Sequence, residues 1–136
     1  MSNNSFFLDT SFIIALINER DQYHQIANNL ANYYDHSLLV TSDAILLEIA
    51  NGLSRNYKQE ATQIVEYLLD ADTVEVIHVT PKLFTQGFEL YKNFQDKEWG
   101  LVDCISFVIM RNQNITHALS FDRHFQQAGF FLIKNN

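Results

Sequence analysis

The sequence predicts an α/β fold: a three-layer sandwich with a central, mostly parallel five-stranded sheet flanked by helices, in a single domain over residues 1–136. Three observations point there. Short β-prone runs alternate with segments of helical periodicity, which is the pattern of β-α-β units. The runs are apolar throughout rather than alternating, as in strands covered on both faces. No internal repeat, low-complexity tract or Pro/Gly-rich linker interrupts the alternation, and 136 residues suffice to bury a core without staples.

Taken in order, "SFFL" at 5–8 is a short buried strand, followed by an apolar helical segment from Ser11 to Ile17. Residues 21 to 35 form a second helix, with Ile26, Ala27, Leu30 and Tyr34 on one face. "SLLVTS" at 37–42 is the next strand, and Thr41, Ser42 or Asp43 can cap the helix that runs through Leu53. A fourth helix spans 58–71 and presents Ile64, Val65, Leu68 and Leu69. "VEVIHV" at 74–79 is β-rich, and Thr80-Pro81 starts a helix to about Phe94, since proline suits a first turn. After a polar loop at 95–99, "GLVDCISFVIM" opens another helix. A strand at 116–121, a short helix after Asp122 closed by Gly129, and a final strand at 130–133 complete the set.

Composition narrows the function. Apolar residues make up 47% of the chain and 18 residues are aromatic (11 Phe, 6 Tyr, 1 Trp), which excludes a disordered segment. The single cysteine, Cys104, allows no internal disulfide and fits a reducing compartment. No early stretch reads as a signal peptide and no apolar run is long enough to span a bilayer, so a soluble cytoplasmic protein without membrane contact is expected. The net charge of −7 argues against a simple basic nucleic-acid binder.

Two apolar runs end on bare carboxylates: "FFLDTSF" on Asp9 and "ITHALSFDRHF" on Asp122. In an open parallel sheet, ligands bind beyond the carboxyl ends of the strands. If these two strands are neighbours, the two acids face one site. Capping of the helix that follows is the plainer use of either one, although Thr10 or Ser11 can cap the first helix and leave Asp9 free. Asp103 lies in a helix that is apolar nearly all round, and a buried carboxylate needs a partner or a metal; its plainer use is to answer the helix dipole. Glu48 points away from the apolar face Ile45–Leu46–Ile49–Ala50–Leu53, which suits a solvated glutamate. Its neighbours one turn away, Ala44 and Gly52, are small enough to admit another segment beside it. Four such acids offer oxygen ligands to a hard divalent cation, Mg²⁺ or Mn²⁺, whose usual work is phosphoryl chemistry.

The stretches "FFLDTSFIIAL", "TSDAILLEIANGL", "GLVDCISFVIM" and "ALSFDRHFQQAGF", in this order and covering nearly the whole chain, closely resemble a PIN domain of the kind found in VapC-like toxin ribonucleases. The resemblance assigns Asp9, Glu48, Asp103 and Asp122 as the catalytic, metal-binding acids. It implies Mg²⁺- or Mn²⁺-dependent hydrolysis of RNA with a 5′-phosphate and a 3′-hydroxyl as products, a homodimer, and silencing by a small antitoxin protein. The four acids account for −4 of the −7, leaving −3 on the rest of the chain, so a cation in the pocket makes a phosphate substrate admissible.

Other residues are read more plainly. Arg55, Lys58, Lys92, Lys97, Arg111 and Arg123 form no sequence cluster, and His24 suits a packing role. Thr10 and Ser120 adjoin proposed ligands and can donate hydrogen bonds to them. Trp99 is expected to pack over the helix that begins at 101 rather than stack on a base, and Cys104 is no nucleophile. Two alternatives stand beside the ribonuclease: a catalytically silent PIN-like binding module, and a phosphoryl-accepting receiver-type domain. Lys134 after the last strand suits a receiver, but the third strand ends in His78-Val79-Thr80 with no aspartate to accept phosphate.

Overall fold

The computed structural model describes residues 5–134. The strands are β1 (Ser5–Leu8), β2 (Leu38–Ser42), β3 (Val74–Ile77), β4 (His117–Leu119) and β5 (Phe131–Leu132). The helices are α1 (Thr10–Ile17), α2 (His24–Tyr33), α3 (Asp43–Leu53), α4 (Lys58–Asp70), α5 (Pro81–Asn93), α6 (Leu101–Asn112) and α7 (His124–Gln127). The sheet order is β3-β2-β1-β4-β5, and every pairing is parallel rather than most of them.

Crossovers between parallel strands are right-handed. The two steps β1 to β2 and β2 to β3 run the same way, which puts α1–α4 on one face; the return from β3 to β4, and the step on to β5, put α5–α7 on the other. Contacts agree, since α1 packs on α2 and α3, while α6 packs on α5 and α7. The direction of winding reverses between β1 and β4. That is the switch point at which α/β sheets open a crevice beyond their strand ends.

Between the layers lies a core that includes Phe7, Leu8, Ile45, Ile49, Phe107 and Phe125. Trp99 joins it, 6% exposed, against Phe94 and Phe107, with its ring N–H donating to Gln127 Oε1 at 3.0 Å. His24 has the packing role expected of it, its Nδ1 lying 2.8 Å from the Ala15 carbonyl oxygen. Gly129, at φ +96°, closes α7 as the sequence suggested.

Three elements differ from the sequence reading by two residues or more at an end, while the others shift by one at most. α2 begins at His24 instead of residue 21, because Asp21 Oδ1 accepts from the Tyr23 amide (2.8 Å) in a turn of its own. β3 stops at Ile77 because the Val79 amide leaves the ladder for Asp43 Oδ1 (3.0 Å). β4 covers only His117–Leu119, because the amides of Phe121 and Asp122 bond to the hydroxyls of Ser11 (2.9 Å) and Ser120 (3.0 Å). Asp122 therefore sits on a serine-pinned loop three residues past the strand.

Candidate active site at the switch point

Asp9 follows β1 directly and is 5% exposed. The expectation that Thr10 or Ser11 caps α1 fails: Asp9 itself is the N-cap, accepting from the Ser11 amide at 3.3 Å. The same oxygen, Oδ2, accepts from Ser11 Oγ (2.8 Å) and Ser120 Oγ (2.7 Å). Each hydroxyl has one proton and spends it there, so the 3.1 Å approach of the two serine oxygens is proximity only.

Glu48 is half-buried, not a solvated surface glutamate. Thr10 Oγ1, at the start of α1, donates to Glu48 Oε1 at 2.6 Å. Gly52, one turn further along α3, faces Ile14 of α1, whose Cδ1 would lie 2.8 Å from a Cβ at 52. Asp103, in the first turn of α6, accepts the Gly100 amide on Oδ2 (3.0 Å), which is the helix-end use anticipated for it. That same Oδ2 meets His124 Nδ1 at 3.0 Å. Asp122 Oδ1 accepts the His124 amide at 2.9 Å and lies 3.3 Å from His124 Nδ1. Among the described residues, Asp103, Asp122 and His124 each offer a ligand atom within 4.8 Å of the others.

A single pattern runs through the four acids. Each is held through one oxygen: Asp9 by Oδ2, Glu48 by Oε1, Asp103 by Oδ2, and Asp122 by Oδ1. Among the described residues no hydrogen bond or ion pair engages the second oxygen of any of them.

Their charges also act on one another. The Asp9 carboxyl is raised from 3.8 to about 6, by burial first and by the Asp103 charge, against the lowering hydrogen bonds from Ser120 and Ser11. Glu48 is raised by burial first, lowered by Thr10, and raised again by Asp103 and Asp122. Asp103 is raised by burial, lowered by the Gly100 amide and His124, and raised by Asp122. Asp103 thus couples to each of the other three. Carboxylates crowded in this way resist full ionisation until a cation joins them.

Ser11 and His124 are the site residues that sequence reasoning missed. Ser11 carried a readable sign, lying two positions after an aspartate at a helix start. His124 carried none, because only the docking of α7 on α6 brings it to Asp103. Cys104, fully buried, has its thiol pushed up to about 11 by burial and by Asp103, which accords with an inert core cysteine.

The PIN domain family model matches residues 6–131. The chain belongs to the PIN domain family. Over 128 residues it is 33% identical to the 23S rRNA-specific endonuclease VapC20 of Mycobacterium tuberculosis, covering 94% of this chain and 97% of the relative. The crystal structure of that organism's VapC20, described as a sarcin-ricin loop cleaving toxin, superimposes with a TM-score of 0.86 at 31% identity, over 96% of this chain and 99% of the other. VapBC2 from Rickettsia felis, solved bound to a DNA fragment from its promoter, shares the fold with a TM-score of 0.66 at 18% identity, over 95% and 97% of the two chains. The PIN architecture accounts for the placement of the acids: Asp9 and the loop bearing Asp122 follow the two strands on either side of the switch point, while α3 and α6 bring Glu48 and Asp103 in from opposite faces of the sheet.

Proposed function

We propose that this PIN protein is a divalent-metal-dependent endoribonuclease, the toxin of a toxin–antitoxin pair, with Asp9, Glu48, Asp103 and Asp122 as its catalytic acids. The observation that carries this reading is the divided use of the carboxylates, each with one oxygen anchored in the protein and the other left over. Acids that merely cap separate helices have no reason to lie within electrostatic reach of one another, yet Asp9, Glu48 and Asp103 are each raised in part by the charge of another acid of the set.

The donor set fits Mg²⁺ or Mn²⁺: carboxylate oxygens are hard ligands, and the neighbouring thiol is buried and protonated. Asp9, Asp103 and Asp122 would hold the cation, directly or through water, with Glu48 completing the set. Bound there, it supplies a Lewis acid to the phosphate and makes a water easier to deprotonate. The chain supplies the rest. Glu48, held by Thr10 and raised from its usual value first by burial, would complete the set through the attacking water, which it orients with Oε2. Ser11, Ser120 and His124 fix the carboxylates against rotation. In-line attack leaves a 5′-phosphate and a 3′-hydroxyl.

The names carried by the VapC20 relatives make ribosomal RNA the first substrate to try, and the VapBC neighbour supports a small antitoxin as partner. A cytoplasmic homodimer completes the reading; among the described residues no helix is long and apolar enough to cross a membrane. The test is cleavage of total ribosomal RNA by wild type, Asp9→Asn and Asp103→Asn with Mg²⁺, Mn²⁺ or a chelator. Cutting by the wild type alone, and only with metal, is expected. Undiminished cutting by a folded variant contradicts the assignment.

A further inference from the structure

A net charge of −7 leaves little long-range attraction for RNA, and the structure offers a further grip beside the acids. Three aromatic rings run outward from the core nearly parallel: Phe12 (3% exposed) lies 5.9 Å from Phe121 at 19°, and Phe121 lies 4.5 Å from Tyr23 at 6°. Tyr23, at the solvent end, is 37% exposed. Tyr23 and Phe121 together line a groove of about 730 Å³ with Ser11, Gln22, Asp122 and Arg123. They also line a second hollow of about 300 Å³ with Lys134. The pair is thus an aromatic ridge that borders both hollows, one of them lined by Asp122.

This ridge is fixed in place. The Phe121 amide donates to Ser11 Oγ, which in turn donates to Asp9 Oδ2, so ring and acid share one anchoring hydroxyl. The segment carrying Tyr23 is tied by Asp21 Oδ1 to the Tyr23 amide, by the Asp21 carbonyl to the His24 amide (3.0 Å), and by His24 Nδ1 to Ala15. Proteins that bind single-stranded RNA stack its bases on aromatic faces beside cations that meet its backbone, because every base has a π-face to stack.

We propose that the outer face of Tyr23, backed by Phe121, is the base-stacking platform of the substrate site, receiving an unstacked nucleobase next to the scissile phosphate while Arg123 meets the adjoining backbone. This rests on the ribonuclease reading above. Tyr23 is a positioning residue in it: it binds the base and takes no part in the proton transfers.

The test uses the RNA segment that the wild type cuts, with 2-aminopurine at positions on either side of the cut. Tyr23→Ala should raise KM about tenfold, as loss of one stacked base does, with kcat nearly unchanged. Tyr23→Trp should restore KM. With metal chelated, so that nothing is cut, 2-aminopurine at one position should be quenched by wild type and by Tyr23→Trp but not by Tyr23→Ala. If wild type cuts RNA and Tyr23→Ala keeps both its KM and the quenching, the platform is wrong and the nuclease stands. If Tyr23→Ala instead loses only its affinity for the co-purifying antitoxin, the ridge is a protein-binding surface and the proposal is also wrong. If wild type cuts no RNA under any metal, both readings fall together.

Discussion

Asp9 caps α1 with Oδ2, and in the proposed site its Oδ1 would meet the cation. Its burial has a cost with a definite pH signature. The folded pKa, about 6, lies above the unfolded value of 3.8, so the folded metal-free protein binds more protons between those values. Stability from this group is therefore greatest below about pH 4, falls as pH rises to about 6, and then levels off. Asp9→Asn, which can keep accepting the serine hydroxyl bonds, should remove that slope. In metal-free protein at pH 7.5 it should raise stability by on the order of 2 kcal/mol, read from urea unfolding, while abolishing RNA cleavage. Thr10→Val is the complementary change. It preserves shape but deletes the 2.6 Å bond to Glu48, and should cost roughly tenfold in activity or in the Mg²⁺ concentration needed for half-activity. At this scale the sequence pointed to the four acids through their stretches, and to Thr10 and Ser120, which hydrogen-bond to Glu48 and Asp9, through adjacency. It could not show that each acid is anchored through one oxygen alone, because side-chain rotation leaves no trace in residue order.

Among the elements, two helical glycines set how closely their helices pack on neighbours. A Cβ on Gly87 of α5 would fall 2.5 Å from Ile105 Cγ1 and 3.2 Å from Ile105 Cα, against the backbone of α6 two residues from Asp103. Gly87→Ala should therefore destabilise by a net of about 1–2 kcal/mol despite its better helix propensity, and the shift of α6 should raise the metal requirement. A Cβ on Gly52 meets only the tip of the Ile14 side chain, which can rotate away. Gly52→Ala should be close to neutral in the same unfolding assay. The order and type of the elements were legible because apolar runs and helical stripes are local patterns. The ends of α2, β3 and β4 were not: each is set by a side chain that captures a backbone amide, two of them from distant segments, as Asp43 does for Val79 and Ser11 for Phe121.

For the whole molecule, the charge of −7 and the aromatic ridge lead to an expectation about salt. With Arg123 and Lys134 as the cations lining the two grooves, about two phosphates are neutralised, and the logarithm of RNA affinity should fall with log[salt] at a slope near −1.4. A slope several times steeper, measured by titration across salt, would mean that a basic surface elsewhere does the binding. The topology itself was foreseeable from alternation, yet the convergence of the acids was not. It depends on β1 and β4 becoming neighbours at the reversal of winding, which no local pattern encodes. The central claim is that four carboxylates from four separate stretches share one cation through their unanchored oxygens. The most direct measurement is an anomalous difference map from crystals soaked in Mn²⁺. A peak beside Asp9 Oδ1, within ligand distance of the Asp103 or Asp122 carboxylate, is predicted; a protein that cuts RNA with Mn²⁺ yet shows its only peak away from these acids would contradict it.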